Sequence, residues 1–197
     1  MLEELVEIIM RYGMFKVGRF KLSSGIESPY YIDLRRLYSY PAEARRVAEA
    51  LLKAVDTDYD MIIGVATAGI PLATYMACIS CKPLGYVRLS RKGHGTESVV
   101  EGVVEGRRVL IVDDVATTGS SLASAVELLK SQGATPVAVA VVVDREQGAS
   151  KRLASMGVRF YALLTIRRLI SIAKSRSLIS DSDAKRVLEY VEKWSRD

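Results

Sequence analysis

The chain is predicted to fold as an α/β protein, a doubly wound and mainly parallel sheet flanked by helices, with a small N-terminal hood. Three observations predict it. Short apolar runs alternate with helix-period segments from about residue 60 onward, the order that yields a parallel sheet with helices packed on it. Two of these runs, Val109-Leu110-Ile111-Val112 and Val137 to Val143, are apolar at every position, as central strands covered on both faces must be. The composition, 49% hydrophobic and 26% charged over 197 residues, is that of a chain that builds a core. Its length fits a single domain over 1–197.

The elements follow in order. Leu2, Leu5, Ile8 and Ile9 recur at helical spacing, which predicts an amphipathic helix over 2–12. Ser23-Ser24-Gly25 and Pro29 precede Tyr30-Tyr31-Ile32, a turn and then a strand. Pro41 opens a helix to about Ala54, since proline is tolerated in a first turn. Strand 60–66 leads to helix 70–79, and strand 84–88 to a glycine-rich loop at 91–96. Strand 107–112 leads to helix 119–131, and strand 135–143 to helix 149–156. A strand over 158–164 and helices near 166–174 and 182–194 complete the pattern. Residues 1–40 are less regular and are expected to cap the sheet.

Several function classes are set aside on composition. The 28 basic and 23 acidic residues leave a formal charge of +5, too dilute for the basic stripe of a nucleic-acid binder. The first seven residues hold three glutamates, which is not a secretory signal. Met61 to Cys81 lacks charge over 21 residues, long enough to span a bilayer of ~30 Å hydrocarbon. The Gly69-Ile70-Pro71 break divides it, however, and a buried strand, loop and helix are expected instead of a membrane span. Cys78 and Cys81 form a C-x-x-C pair, but one histidine and no second pair leave a four-ligand zinc site incomplete. Both are expected to pack as small buried residues at a helix end.

The chemistry concentrates in Val109-Leu110-Ile111-Val112-Asp113-Asp114-Val115-Ala116-Thr117-Thr118-Gly119-Ser120-Ser121. A buried strand ends in two adjacent carboxylates, and a hydroxyl-rich turn then opens a helix. Ligands of open α/β sheets bind outside the carboxyl ends of strands. The turn offers backbone N–H groups and a helix dipole to a phosphate, whereas the carboxylates suit sugar hydroxyls or a divalent cation. Each piece alone could be a cap or a turn. Together they describe a site for a phosphorylated sugar. No Gly-Lys-Ser/Thr or G-x-G-x-x-G pattern marks a nucleotide loop here.

This block resembles the phosphoribosyl-diphosphate signature of the type I phosphoribosyltransferases. Other segments resemble the orotate phosphoribosyltransferases in particular. Phe20-Lys21-Leu22-Ser23-Ser24-Gly25 followed by Ser28-Pro29-Tyr30-Tyr31 is similar to that family's N-terminal hood. Arg88 with Lys92-Gly93-His94-Gly95 is similar to its mobile catalytic loop, and Asp144-Arg145 to its base-recognition site. The resemblance runs from about residue 13 to 148. It implies transfer of ribose 5-phosphate from 5-phosphoribosyl 1-diphosphate to orotate, with Mg2+ held mainly through the donor, in pyrimidine (UMP) biosynthesis.

The resemblance also implies roles. Asp113 and Asp114 hold the ribose diol, Val115 and Ala116 belong to the donor site, and Thr117, Thr118, Gly119, Ser120 and Ser121 cradle the 5′-phosphate. Arg88, Thr67 and Ala68 face the pyrophosphate, where Gly69 would let backbone approach an anion. Lys92 and His94 act on the leaving group. Arg145 grips the orotate carboxylate, and Thr117 and the backbone of Tyr31 and Ile32 complete the base pocket. Where many relatives carry lysine, this chain has Ser23, Ala68 and Leu89. Lys21 is expected to replace that charge, because it would share a face with Ser23 if residues 20–24 are extended. The resemblance further implies a cytoplasmic homodimer that exchanges loops between sites, and neither a nucleic-acid partner nor a membrane. No fused decarboxylase domain is expected, and residues 161–197 carry no assignable motif. Two alternatives stay open. A phosphoribosyltransferase for another base would not need Arg145, and a non-catalytic sensor of the donor would not need Lys92 and His94.

Overall fold

The computed structural model describes residues 2–21, 27–89 and 99–195. An amphipathic helix α1 (Leu2–Arg11) leads into a two-stranded antiparallel ribbon of β1 (Phe15–Lys21) and β2 (Glu27–Ile32). A 3-10 turn over Leu34–Ser39, capped by Asp33, joins the ribbon to α2 (Pro41–Ala54). Neither β1 nor this turn is anticipated above. FKVGRFK alternates basic residues with only a few apolar ones, so as a lone segment its period-2 signal is weak.

The main unit comprises β3 (Met61–Val65), α3 (Gly69–Ser80), β4 (Leu84–Arg88), β5 (Val99–Glu101), β6 (Arg108–Ala116), α4 (Ser120–Ser131), β7 (Thr135–Asp144), α5 (Ala149–Ser155), β8 (Arg159–Thr165), α6 (Ile166–Ser175) and α7 (Asp181–Ser195), alternating as expected apart from the three-residue strand β5, which the sequence pattern does not mark. Strand order is β5-β4-β3-β6-β7-β8, parallel except for the short antiparallel edge strand β5. The connections run outward in opposite directions from β3 and β6. The crevice between those two strands is thus the switch point at which such sheets bind ligands.

Period-2 alternation sorts each strand's side chains between two layers. Leu110 and Val112 of β6 join Ala138, Ala140 and Val142 of β7 on the face covered by α1, α2, α3, α6 and α7. Val109, Ile111, Val139 and Val141 face α4 and α5. Leu110 and Ile111 are fully buried, and truncating either to alanine should cost ~2–5 kcal/mol. Met61 to Cys81 is divided between β3 and α3, and no helix among the described residues is long and apolar enough to cross a membrane.

Two expectations need correction. Cys78 and Cys81 are both exposed and free. Helix α3 buries Leu72, Ala73, Met76 and Ala77, so its inward stripe passes Cys78 by, and Cys81 sits past the helix end in a left-handed cap. Strand β6 does not stop at Val112. Its parallel pairing with β7 continues through Asp113↔Val141 and Val115↔Val143 to Ala116↔Asp144. The two carboxylates therefore stand on strand backbone, which holds them more rigidly than a turn would.

Candidate active site

At the carboxyl ends of β3, β6 and β7 lies a cleft of about 750 Å³. It gathers Asp113, Asp114, Val115, Ala116, Thr117, Thr118, Gly119, Ser120 and Ser121 with Thr67, Ala68, Arg145, Tyr31, Ile32 and Lys21. Segments more than a hundred residues apart in sequence meet there. The sequence-proposed donor and base residues thus share one cavity, with three exceptions. Arg88 is exposed at the end of β4, one strand further out than β3, and does not line the cleft. Lys92 and His94 lie outside the described residues, as do Leu22, Ser23, Ser24 and Gly25.

Asp113 and Asp114 are half-buried on the cleft floor. The Asp113 carboxylate accepts the Asp114 N–H at 2.9 Å, and that of Asp114 accepts the Val115 N–H at 2.8 Å. Burial raises the Asp113 pKa well above the usual carboxylate range, and the neighbouring Asp114 charge adds to it. Burial raises Asp114 too. Two crowded acids that contact no cation among the described residues favour hydroxyl donors or a metal ion arriving to relieve them. Each of the two turns that border the carboxylates needs a glycine, Gly69 at the start of α3 and Gly119 before α4. A Cβ on Gly69 would fall 2.3 Å from the Val112 carbonyl oxygen, so Gly69 is required by packing of α3 against β6, a different reason from the anion approach expected above. Gly119 adopts φ +74°, and a Cβ there would meet Ala149 Cα at 2.9 Å. No side chain caps the first turn of α4, which leaves that turn's N–H groups to a ligand. The Ala66–Thr67 peptide beside it is cis.

Arg145 forms the other wall. It is only 5% exposed. Its Nε donates to the Tyr30 hydroxyl at 3.1 Å, its Nη2 to Ser28 Oγ at 3.0 Å, and its guanidinium lies 4.4 Å from the Tyr30 ring centroid. Burial pushes the Tyr30 phenol up to about 12, so Tyr30 stays neutral and cannot offset the guanidinium charge. Among the described residues no carboxylate makes an ion pair with Arg145. A buried cation held only by neutral groups is set to receive an anion, and its planar fork matches a carboxylate.

Several lining residues escape the sequence reading. Asp33 and Arg35 form a bidentate pair at 2.7 and 2.9 Å on the cleft rim. Tyr38 donates to the Ala68 carbonyl at 2.9 Å and steadies the turn after β3. Gln147 is buried against the cleft. Period 2 along β2, with Ser28, Tyr30 and Ile32 buried, is the one signal that could have marked Ser28 and Tyr30.

Residues 33–160 match the family model described as phosphoribosyl transferase domain. Over 191 residues, 96% of this chain and 98% of its relative, the sequence is 44% identical to orotate phosphoribosyltransferase of Sulfurisphaera tokodaii. The chain belongs to the orotate phosphoribosyltransferase family. The orotate phosphoribosyltransferase of Aeropyrum pernix has a crystal structure that superposes with a TM-score of 0.78 at 40% identity, covering 89% of this chain and 99% of that one. A family member from Mycobacterium tuberculosis H37Rv, solved in complex with 5-phospho-α-D-ribosyl 1-diphosphate, superposes at 0.69 and 32% identity over 85% of this chain and 98% of that one. The type I phosphoribosyltransferase fold expected from the sequence is therefore the one observed.

Proposed function

We propose that this chain transfers ribose 5-phosphate from 5-phosphoribosyl 1-diphosphate to orotate, giving orotidine 5′-phosphate and pyrophosphate, as an orotate phosphoribosyltransferase (EC 2.4.2.10) of pyrimidine biosynthesis. The observation that carries the reading is a buried Arg145 that has no carboxylate partner among the described residues, opening on the same cleft as the Asp113–Asp114 pair and the uncapped turn of α4. One end of that cleft suits an acidic base and the other a sugar phosphate. A pocket for a neutral purine gives no use to such an arginine.

In this reading the carboxylates of Asp113 and Asp114 accept hydrogen bonds from the ribose diol, and the turn over 117–121 holds the 5′-phosphate. Arg145 and the backbone of Tyr31 and Ile32 orient orotate, with Thr117 beside it. The base nitrogen then displaces pyrophosphate from ribose C1. Cationic character grows on the ribose and negative charge on the leaving group, so the site must neutralise one and keep water from the other. Lys92, His94 and Arg88 serve the pyrophosphate, aided by Lys21 at the cleft edge, and residues 1–40 act as the hood. Mg2+ fits this donor set: Asp113 and Asp114 supply hard oxygen ligands beside the donor's own oxygens, and the ion would neutralise charge on the leaving group. The family reading extends to a cytoplasmic homodimer whose 90–96 loop serves the neighbouring site. Leu84 and Tyr86, 38% and 37% exposed on the face of β4 that leads to Arg88, are the apolar surface such a dimer would bury.

An absorbance assay with orotate, the donor and Mg2+, run beside adenine, hypoxanthine and uracil, tests the reading. Orotate alone is expected to turn over, and turnover of a purine instead would overturn it. In the same assay Lys92→Ala should lower kcat ~100-fold with orotate binding little changed, as expected of a group acting on the departing pyrophosphate. Equal loss of both would contradict that role.

A further inference from the structure

The C-terminal helix carries no recognisable motif, yet it reaches the base pocket. Helix α7 buries Ala184, Val187 and Val191 against the rest of the molecule. Beside that stripe, Tyr190 meets two residues that flank the base-recognition arginine. Its ring stands edge-on to Tyr30, with centroids 5.9 Å apart and planes at 84°. Its hydroxyl accepts a hydrogen bond from Gln147 Nε2 at 3.3 Å. Tyr30 is the platform under the Arg145 guanidinium and accepts from its Nε. Gln147 follows Arg145 by two residues, lines the cleft, and keeps a buried Oε1 with no hydrogen-bond partner.

We propose that Tyr190 is a positioning residue for acceptor recognition, helping to fix the Tyr30 ring on which Arg145 presents its fork and the Gln147 amide that lines the same cleft. The argument is geometric. A bidentate grip on a carboxylate works only when the guanidinium plane is held in line with it. Among the described residues Arg145 contacts no counter-ion, and its side-chain hydrogen bonds go to Tyr30 and Ser28, so its orientation is as firm as theirs. The Tyr30 ring is fully buried, stacks on Phe15 at 5.7 Å between centroids, and is closed at its edge by Tyr190. That edge-to-face contact adds favourable ring electrostatics to the confinement. The Gln147 amide is likewise held at one end alone, by Tyr190. Removing Tyr190 thus loosens the Tyr30 support of Arg145 and frees the Gln147 amide beside it, while Ser28 still holds Nη2 and neither the carboxylate pair nor the turn over 117–121 is touched. A binding group whose supporting shell loosens loses its geometry before the fold is lost.

The inference rests on the reading of Arg145 as the orotate-carboxylate partner, and the test separates the two. The KM for orotate, the KM for the donor and kcat are measured for Tyr190→Leu, Tyr190→Phe, Arg145→Ala and the double variant Tyr190→Leu/Arg145→Ala. Tyr190→Leu is expected to raise the orotate KM ~10-fold, with the donor KM and kcat within about twofold. In the Arg145→Ala background the same change should add less than about twofold, since Tyr190 acts on orotate only through the support of Arg145. Tyr190→Phe keeps the ring and loses the hydroxyl, so about a threefold rise is expected. That variant decides the matter should the leucine protein fail to fold. An unchanged orotate KM in Tyr190→Phe and Tyr190→Leu, a parallel rise in donor KM, or a full ~10-fold effect in the Arg145→Ala background would overturn the proposal. If Arg145→Ala itself left orotate KM unchanged, the reading of the pocket would fall first, and this inference with it.

Discussion

Acidic residues stand at the carboxyl ends of two adjacent strands, and the molecule uses them in opposite ways. At the end of β7, the Asp144 carboxylate accepts the Glu146 N–H at 2.9 Å. Glu146 in turn accepts the Arg167 N–H at 3.0 Å and lies 3.4 Å from Arg167 Nε, capping α6 together with Thr165. At the end of β6, among the described residues, the Asp113 and Asp114 carboxylates accept the N–H of the next residue and no side chain caps the helix that follows. One strand end is closed by the protein's own groups. The other keeps acceptors and helix N–H groups facing a cleft. In sequence, Asp-Asp and Asp-Arg-Glu are both acidic strand ends. What separates them is whether the fold supplies their partners, and the end it leaves open is where a ligand belongs.

The largest effect that could break this contrast is on activity. Asp113→Asn or Asp114→Asn should lower kcat/KM for the donor at least ~100-fold, as loss of a group that binds the reacting sugar would. The melting temperature should hold or rise, because a crowded buried charge is removed. A collapse of the melting temperature would make the pair structural, like its neighbour. A smaller effect of the opposite kind is expected at β7. Glu146→Ala should cost ~1–2 kcal/mol of stability through the lost helix cap, read as a lower urea midpoint, with the donor KM within about twofold. A large rise in donor KM there would blur the distinction. The smallest effect is on pH dependence. The folded-state pKa values of Asp113 and Asp114 lie above their unfolded values, so the folded form binds more protons. Stability should then fall as pH rises from ~4 through the raised values and level off above them. Asp144, also raised by burial, contributes with the same sign and remains in the variants. Asp113→Asn should therefore be more stable than the parent at neutral pH and converge with it in acid. Urea midpoints between pH 4 and 8 check this, and parallel curves would contradict it.

Legibility followed the range of the interactions. The central strands were readable because Val109 to Val112 and Val137 to Val143 need no context to be recognised as doubly covered. The end of β6 was misjudged because Asp113 and Asp114 carry turn chemistry in isolation, while pairing with β7 as far as Asp144 holds them in the sheet. The outward placement of Cys78 and Cys81 depends on which stripe of α3 meets the sheet, and a helix apolar on nearly every side does not announce that. That the turn over 117–121 lines the cleft was legible because its parts are contiguous. The support of Arg145 was not, since Ser28 and Tyr30 come from 117 and 115 residues away and Tyr190 from the last helix. Arg35 reads as a surface arginine until the 3-10 turn places it on the cleft rim.

A crystal structure of the protein with the phosphoribosyl donor and Mg2+ addresses the claim on which the rest depends. The account predicts ribose hydroxyls within hydrogen-bond distance, about 3 Å, of the Asp113 and Asp114 carboxylates, and the 5′-phosphate on the N–H groups of residues 117–121. A donor seated away from these groups, or carboxylates still paired only with their own backbone beside a bound donor, would contradict it.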